Sequence, residues 1–553
     1  MLIFKQSFFM VSIFFMIVIL IPVFSGFGQF FNKIAGNLSE GIAINLMMGI
    51  FSVSMICSFL AFFIPLNIFV ESVSIILGLF FFFYFRIYKR FWNFIGKNKL
   101  LFLPLVFIII FFGSFYPFIL DHFGYYVPTV KWISQIGLVQ GISNLDLLLG
   151  QMSVWHILQA GFSNFADPFL RINVMVLIVY LIYTFEKKSW IHLFFLPILF
   201  LLTQSPSPDL PVIAFSLIIL NEIINSNKNC ALLFALSMFV FAIKPTMIWL
   251  PIFAFFYSLL ILKSNLKFTV LGIFVLILFI FKNSWTFGFP VFPVQFLDLG
   301  LSWKPNPQLL QNSSETAIMK TYDMQYQYAD IHKFSGFEYI KNWLFLNGIK
   351  GKIHLLFIMS LLIFFVYSLK KKSKVIWILF ISIFIKSVLV LLFSAQYRFF
   401  LDVFFVITFI LLNEFFTKKI SLVIFSTLSV FFAGFLSFPS VVTELLPSFK
   451  LGGFMTGFNV NQFYKPAHFE LNKYKTHQIG NLKFNVVKNY PFSFDTPLPA
   501  ISPQFIQEDL DAGIFPQLKG KTLKEGFIWR KISQEEKLKI KNVLEEYSKQ
   551  SLK

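Results

Sequence analysis

The chain has 553 residues, of which 57% are hydrophobic and only 13% charged, a balance that a water-soluble core of this length does not need. Its formal net charge of +20 would suit a nucleic-acid binder, but the basic residues sit in short clusters between apolar runs, a topological pattern that excludes that class. The two cysteines, Cys57 and Cys230, lie in or beside apolar runs without a spacing motif, which argues against a disulfide framework or a thiolate metal site.

The opening "MLIFKQSFFMVSIFFMIVILIPVFSGFG" shares an early lysine and an apolar run with signal peptides. The run is longer than a usual h-region and no small-residue cleavage site is clear, so a retained first span is expected. Candidate spans fall at 7–25, 42–63, 67–86, 101–120, 171–186, 190–203, 211–224, 230–243, 246–262, 267–281, 353–369, 375–394, 399–415 and 420–438. At roughly 20 mainly apolar residues per crossing, fewer where neighbours bury the helix ends, the fold class is all-α: a polytopic transmembrane bundle of about 13–14 spans. Three parts are expected: accessory helices over 1–100, a core over 101–440 with large loops at 121–170 and 282–352, and a C-terminal lobe, α+β or irregular, over 441–553.

Basic residues cluster in the connections 86–99, 186–188, 225–228, 263–267, 370–374 and 417–419. Assigning these to the cytoplasm makes the alternation work from residue 86 onward and puts both large loops and the tail outside. "FFNKIAGNLSEG", 30–41, carries too little charge to orient the first three spans. Within 129–162, Trp132, Ile133, Ile136, Leu138, Val139, Val154, Trp155, Ile157 and Leu158 recur at helical spacing, as expected for helices lying in the interface plane. The second loop runs from the proline-interrupted "FGFPVFPVQFLD" through a polar stretch to the amphipathic "FEYIKNWLFLNGI". The tail holds the turn-rich "NYPFSFDTPLPAISP" and ends in the charged helical pattern "SQEEKLKIKNVLEEYSKQ", with enough aromatic residues to be ordered at least in part.

Asp121 stands where an apolar run ends, in "FILDHFGYYVPTVKW". It either marks the water boundary or performs a task, since a carboxylate near lipid is costly unless paired or used. His122, Tyr125, Tyr126 and Lys131 of the same stretch are substrate-binding candidates. Asp209, in "TQSPSPDLPV", follows two prolines that stiffen its turn; it is either a helix cap or a second catalytic carboxylate. Paired acids on one face of a membrane can divide general-base and charge-stabilising work. Arg398 in "FSAQYRFFLDVF", Lys244 in "FAIKPTMIWLP" and Lys282 in "FKNSW" run against the cytoplasmic bias of the other basic residues. They are interfacial anchors or a pocket for a lipid-linked phosphate, which a guanidinium holds by two parallel hydrogen bonds. His156 has no second ligand at metal spacing, and no nucleotide-binding, nucleophile-elbow or zinc signature occurs. No cofactor is required by these residues; a divalent cation is compatible with them, and the metal ligands are unknown.

This order of parts over residues 100 to 440 resembles the GT-C class of multi-spanning glycosyltransferases, which includes protein mannosyltransferases and the lipid A aminoarabinose transferase. "KNSWTFGFPVFPV", 282–294, is similar to a stretch common in bacterial integral membrane proteins of this type, carried by Lys282, Asn283, Gly288, Pro290 and Pro293. The resemblance implies a sugar donor on a polyprenyl phosphate, a glycan, lipid or protein acceptor, and an external carboxylate as base, matched here by Asp121 with Asp209 second. His122 stands where many members have a second acid. The rival expectations are a lipid-linked oligosaccharide transporter, which needs charges deep in its spans where only Lys386 is a clear case, and a surface-polysaccharide polymerase or ligase.

Overall fold

The computed structural model describes residues 10–36, 41–295, 297–445, 456–468, 473–488 and 492–548. The first residues of the opening span, 7–9, and parts of the stretches 30–41, 489–503 and 533–550 lie outside the described residues. The chain is a helical bundle. Its helices are α1 (Met10–Ile34), α2 (Ile42–Leu60), α3 (Ile68–Tyr84), α4 (Tyr88–Gly113), α5 (Val127–Gln135), α6 (Val154–Ala160), α7 (Ile172–Lys187), α8 (Ile191–Leu199), α9 (Asp209–Ile224), α10 (Cys230–Ile243), α11 (Trp249–Phe256) and α12 (Val270–Phe287). After them come α13 (Pro307–Thr321), α14 (Tyr328–Ile331), α15 (Gly336–Leu344), α16 (Ile349–Lys371), α17 (Lys374–Phe393), α18 (Leu401–Leu412), α19 (Lys418–Ser437), α20 (Pro439–Leu445), α21 (Pro503–Asp511) and α22 (Gln534–Ser548).

Among the described residues, seven helices are long and apolar enough to cross a membrane, and five further apolar helices are shorter. This is a multi-pass membrane protein. Every expected span is helical, including 171–186 and 211–224, which form α7 and α9. Those two have 16 residues each, about 24 Å at 1.5 Å per residue, short of a bilayer. They tolerate this because other helices surround them, and nearly all their residues are buried.

Three expectations are corrected. The basic stretch 86–99 is mostly the first half of α4 rather than a loop, and α4 stops at Gly113 instead of reaching residue 120. Pro117, which has no amide hydrogen and restricts the residue before it, sits in the non-helical stretch that follows. The loop 129–162 does not lie on a surface. Trp132, Ile133, Leu138, Val139, Trp155, Ile157 and Leu158 are fully buried, because the neighbouring helices and the C-terminal lobe close over it.

The accessory helices are locked to this core by close packing and by two carboxylates. A Cβ on Gly49 of α2 would stand 1.7 Å from the Phe24 carbonyl oxygen, so α1 and α2 approach backbone to backbone, as small residues permit in membranes. The buried Glu71 carboxylate accepts the amides of Asn164 (2.9 Å), Phe165 (3.1 Å) and Ala166 (2.6 Å). Glu186 accepts those of Ile42 (2.6 Å) and Ala43 (2.9 Å), neutralising the amide end of α2.

The lobe carries two antiparallel hairpins, β1 (Tyr474–Ile479) with β2 (Leu482–Val487) and β3 (Ile514–Leu518) with β4 (Phe527–Lys531), so its α+β character is as expected. It is stitched to the first loop. The Phe527 amide donates to the Gln140 carbonyl at 2.9 Å, Asn144 Nδ2 donates to the Phe527 carbonyl at 3.2 Å, and the Phe494 amide donates to the Phe123 carbonyl at 3.2 Å. Arg171, fully buried at the start of α7, donates to the carbonyls of Gly113 (3.0 Å) and Ala467 (2.7 Å).

The junction also buries acid. Asp146 caps the turn 147–151 by accepting the Leu148 amide at 2.8 Å, and burial, with a smaller push from Glu508, drives its carboxyl up to about 8 against the pull of that amide. An unfolded aspartate titrates near about 4. Between those values the folded protein holds a proton the unfolded chain lacks, so this group's contribution to stability is full at low pH and is lost as pH rises to about 8. Asp146→Asn keeps the capping oxygen and removes the ionisation. Its melting temperature in detergent, compared with wild type, should show a gain that grows from about pH 5 to about pH 8; a constant difference would contradict this.

Candidate functional site

Four charged side chains from four distant segments meet at the lobe end of the bundle. Asp121 follows the non-helical stretch after α4 and precedes a single wide turn, His122–Tyr126, that leads into α5. Arg398 sits in a short turn, Tyr397–Phe399, between α17 and α18. Its Nη1 donates to Asp121 Oδ2 at 3.0 Å. Asp209 is the first residue of α9, oriented by Ser207, whose hydroxyl donates to Asp209 Oδ2 at 3.3 Å. Lys244, in extended backbone between α10 and Pro245, donates to Asp209 Oδ1 and also reaches the Arg398 carbonyl at 3.4 Å. The Phe399 ring lies beneath both cations, 5.6 Å from Lys244 Nζ and 5.2 Å from the Arg398 guanidinium carbon.

The two ion pairs differ in cover. Side-chain exposure is 34% for Asp121 and 43% for Arg398, against 26% for Asp209 and 16% for Lys244. The cluster is thus open on its Asp121 side. Burial pulls the Arg398 guanidinium down, but the facing Asp121 and Asp209 carboxylates more than offset it and hold it above its ordinary value, so it stays charged.

Tyr125 and Tyr126 are buried against each other, with centroids 4.6 Å apart, and against His156 at 5.8 and 4.8 Å. Burial first, then Asp121 for Tyr125 and the Tyr125 phenol for Tyr126, pushes both phenols up, so they remain hydrogen-bond donors. Three other expected residues do not join the cluster. Lys131 pairs with Asp495 of the tail at 2.6 Å. Lys282 is buried, donates to the Met152 carbonyl and lies 5.6 Å from the Phe279 centroid; it props up the first loop. His122 is buried with Nδ1 unpartnered, and burial followed by the Arg171 charge drives it well below its ordinary value. Its electrostatic neighbour is Arg171, and it remains neutral.

Sequence reasoning missed three partners. Lys386 is not a lone charge in a span: it donates to Asp402 Oδ1 at 2.5 Å, and Trp249 Nε1 donates to Oδ2 at 2.8 Å. An aspartate one helical turn after Arg398 was the available signal, because an acid inside an apolar run needs a partner. Ser207 carried no signal beyond its place in the proline-rich turn. Lys320, at the end of α13, senses both Arg398 and Asp121; loss of solvent and then Arg398 push its ammonium down.

With Lys320, the cluster holds three cations and two acids. That excess suits an anion, and the guanidinium and ammonium groups are donors fitted to phosphate. Each carboxylate gives an oxygen to a cation, and among the described residues no group of three His, Cys, Asp or Glu side chains that could hold a metal converges.

The chain belongs to the family described as "Domain of unknown function (DUF8201)", which matches residues 10–405. That span takes in the accessory helices, the first loop and all five charged residues of the cluster. No curated protein and no solved structure matches the chain.

The charge pairs predict unequal tolerance to neutralisation. Asp402→Asn leaves the fully buried Lys386 without its counter-ion and should cost about 3–5 kcal/mol. Asp121→Asn breaks a half-open pair and should cost less than about 1 kcal/mol. Chemical or thermal unfolding of the purified variants measures both; equal losses would contradict the assigned burial.

Proposed function

We propose that the chain is a membrane glycosyltransferase of the GT-C type, which moves a sugar from a polyprenyl-phosphate donor to an envelope or surface-glycan acceptor. The observation that carries this reading is the convergence of Asp121 and Asp209 with Arg398 and Lys244. Two acids and an anion-binding set within one cluster are what sugar transfer from a phosphate requires. Asp121 takes the proton of the acceptor hydroxyl as general base. The acceptor oxygen then bonds to the anomeric carbon while the bond from that carbon to the phosphate oxygen breaks. The leaving phosphate keeps the electron pair, and Arg398 and Lys244 meet the charge that develops on it.

Charge balance links the two tasks. Arg398 is bonded to Asp121, so a phosphate that draws the guanidinium away frees the carboxylate to act. Asp209, less exposed and tied to Lys244 and Ser207, orients the acceptor. Topology supports a periplasmic site in a bacterial inner membrane. The clusters around Lys187, Lys228 and Lys263 lie at the far ends of helices whose other ends carry Arg171, Asp209 and Lys244, and basic connections favour the cytoplasm. The closed Lys386–Asp402 pair offers no free charge within the spans, which weighs against a transporter's polar path.

Membranes containing the wild-type chain should transfer labelled sugar from a polyprenyl-phosphate donor to endogenous acceptor. Asp121→Asn should lower that rate by about 100-fold or more, the usual worth of a general base. Undiminished transfer in the variant would overturn the mechanism.

A further inference from the structure

A cleft of about 100 Å³ lies beside the acid–base cluster, lined in part by Lys320, Asp323, Lys350, His354, Gln396 and Tyr397. That volume exceeds the about 10–15 Å³ that one water needs, so the cleft has room for a small polar group. Lys350 donates to Asp323 and lies 5.7 Å from the Tyr397 centroid. Among the described residues, Lys320 forms no ion pair with a carboxylate. The charged lining therefore sums to one positive charge. His354 is buried with its ring stacked on Trp343 at 4.3 Å. Its Nδ1 is 2.8 Å from the Trp343 carbonyl, which only accepts, so Nδ1 carries the hydrogen and Nε2 has no partner among the described residues.

The cleft is also at the right depth for a lipid head. Lys350 and His354 lie in the first two turns of α16, a candidate membrane span, where lysines meet headgroups. Next to them, α15 turns Phe337, Ile340 and the following Phe345 outward, and Leu355, Leu356 and Met359 continue an exposed apolar surface down α16. Trp343, the inward residue of α15, donates to the Ala395 carbonyl at 2.9 Å. That bond ties the apolar surface to the turn that carries Gln396, Tyr397 and Arg398.

We propose that this cleft binds the phosphate head of a membrane lipid, whose chain lies along α15 and α16. The site shares Lys320 with the edge of that cluster but uses none of Asp121, Asp209, Lys244 or Arg398, and it stands whether or not sugar transfer is the reaction. Lys320 and Lys350 bond the phosphate oxygens, and Tyr397 and Gln396 supply neutral donors. Asp323 keeps Lys350 in place.

Native mass spectrometry of the full chain in neutral detergent tests this with phosphatidylglycerol, farnesyl phosphate and inorganic phosphate as probes. Wild type should retain phosphate lipid. Lys320→Gln should weaken retention about fivefold, the worth of one lysine near a headgroup, and the charge-neutral double variant D323N/K350Q should weaken it at least as much. Arg398→Gln should retain phosphatidylglycerol as wild type does. Retention of phosphatidylglycerol alone identifies a bilayer phospholipid, and retention of farnesyl phosphate alone identifies a prenyl lipid; either supports the site. Unchanged retention in both lysine variants would overturn it, as would inorganic phosphate binding as well as the lipids. Asp121→Asn should keep the lipid, so loss of transfer and loss of lipid binding are read separately.

Discussion

Charge at the edge of a bilayer has to be matched, and much of the lobe end of this protein is organised by that need. Three acid–base pairs run inward from the open face: Asp121 with Arg398, Asp209 with Lys244, and Asp402 with Lys386. The first joins segments far apart in sequence and the other two bridge successive helices, so together the pairs hold α9, α10, α17 and α18 and the first loop in one arrangement. An unpaired member at that depth would cost several kcal/mol. The gradient of cover decides which pair can act. The innermost is closed on all sides and structural, whereas the outermost is open enough for a ligand to compete for its cation.

The first loop and the lobe serve the same end by holding Asp121 still. Phe494 packs on Phe123, with centroids 4.9 Å apart, two residues after the acid. Lys131 and Asp495 bridge the same surfaces. Glu71 fixes the loop's far end through three backbone amides. A backbone hydrogen bond from the tail thus holds the turn that follows Asp121, while an accessory-helix carboxylate holds the other end of the loop.

The helices were legible in the sequence because length and hydropathy act locally, and every expected span is helical. Boundaries depended on single residues, as Pro117 shows by leaving α4 short. The burial of the first loop was not legible, since Trp132 and Trp155 at helical spacing serve a lipid surface and a protein interior equally well. Asp121, Asp209, Lys244 and Arg398 stood out by type and position. What no local pattern held was the pairing: who faces whom follows from packing between distant helices. For the same reason Lys282 looked like a ligand for phosphate yet supports a loop, and Lys386 looked alone yet faces Asp402.

The central claim is that these residues form one electrostatic unit. It is tested most directly by a double-mutant cycle on Asp209 and Lys244, with unfolding free energy measured for Asp209→Asn, Lys244→Met and the pair together. The ion pair predicts a coupling of about 0.5–3 kcal/mol, with the second substitution costing much less once the first is made. Losses that simply add would contradict it.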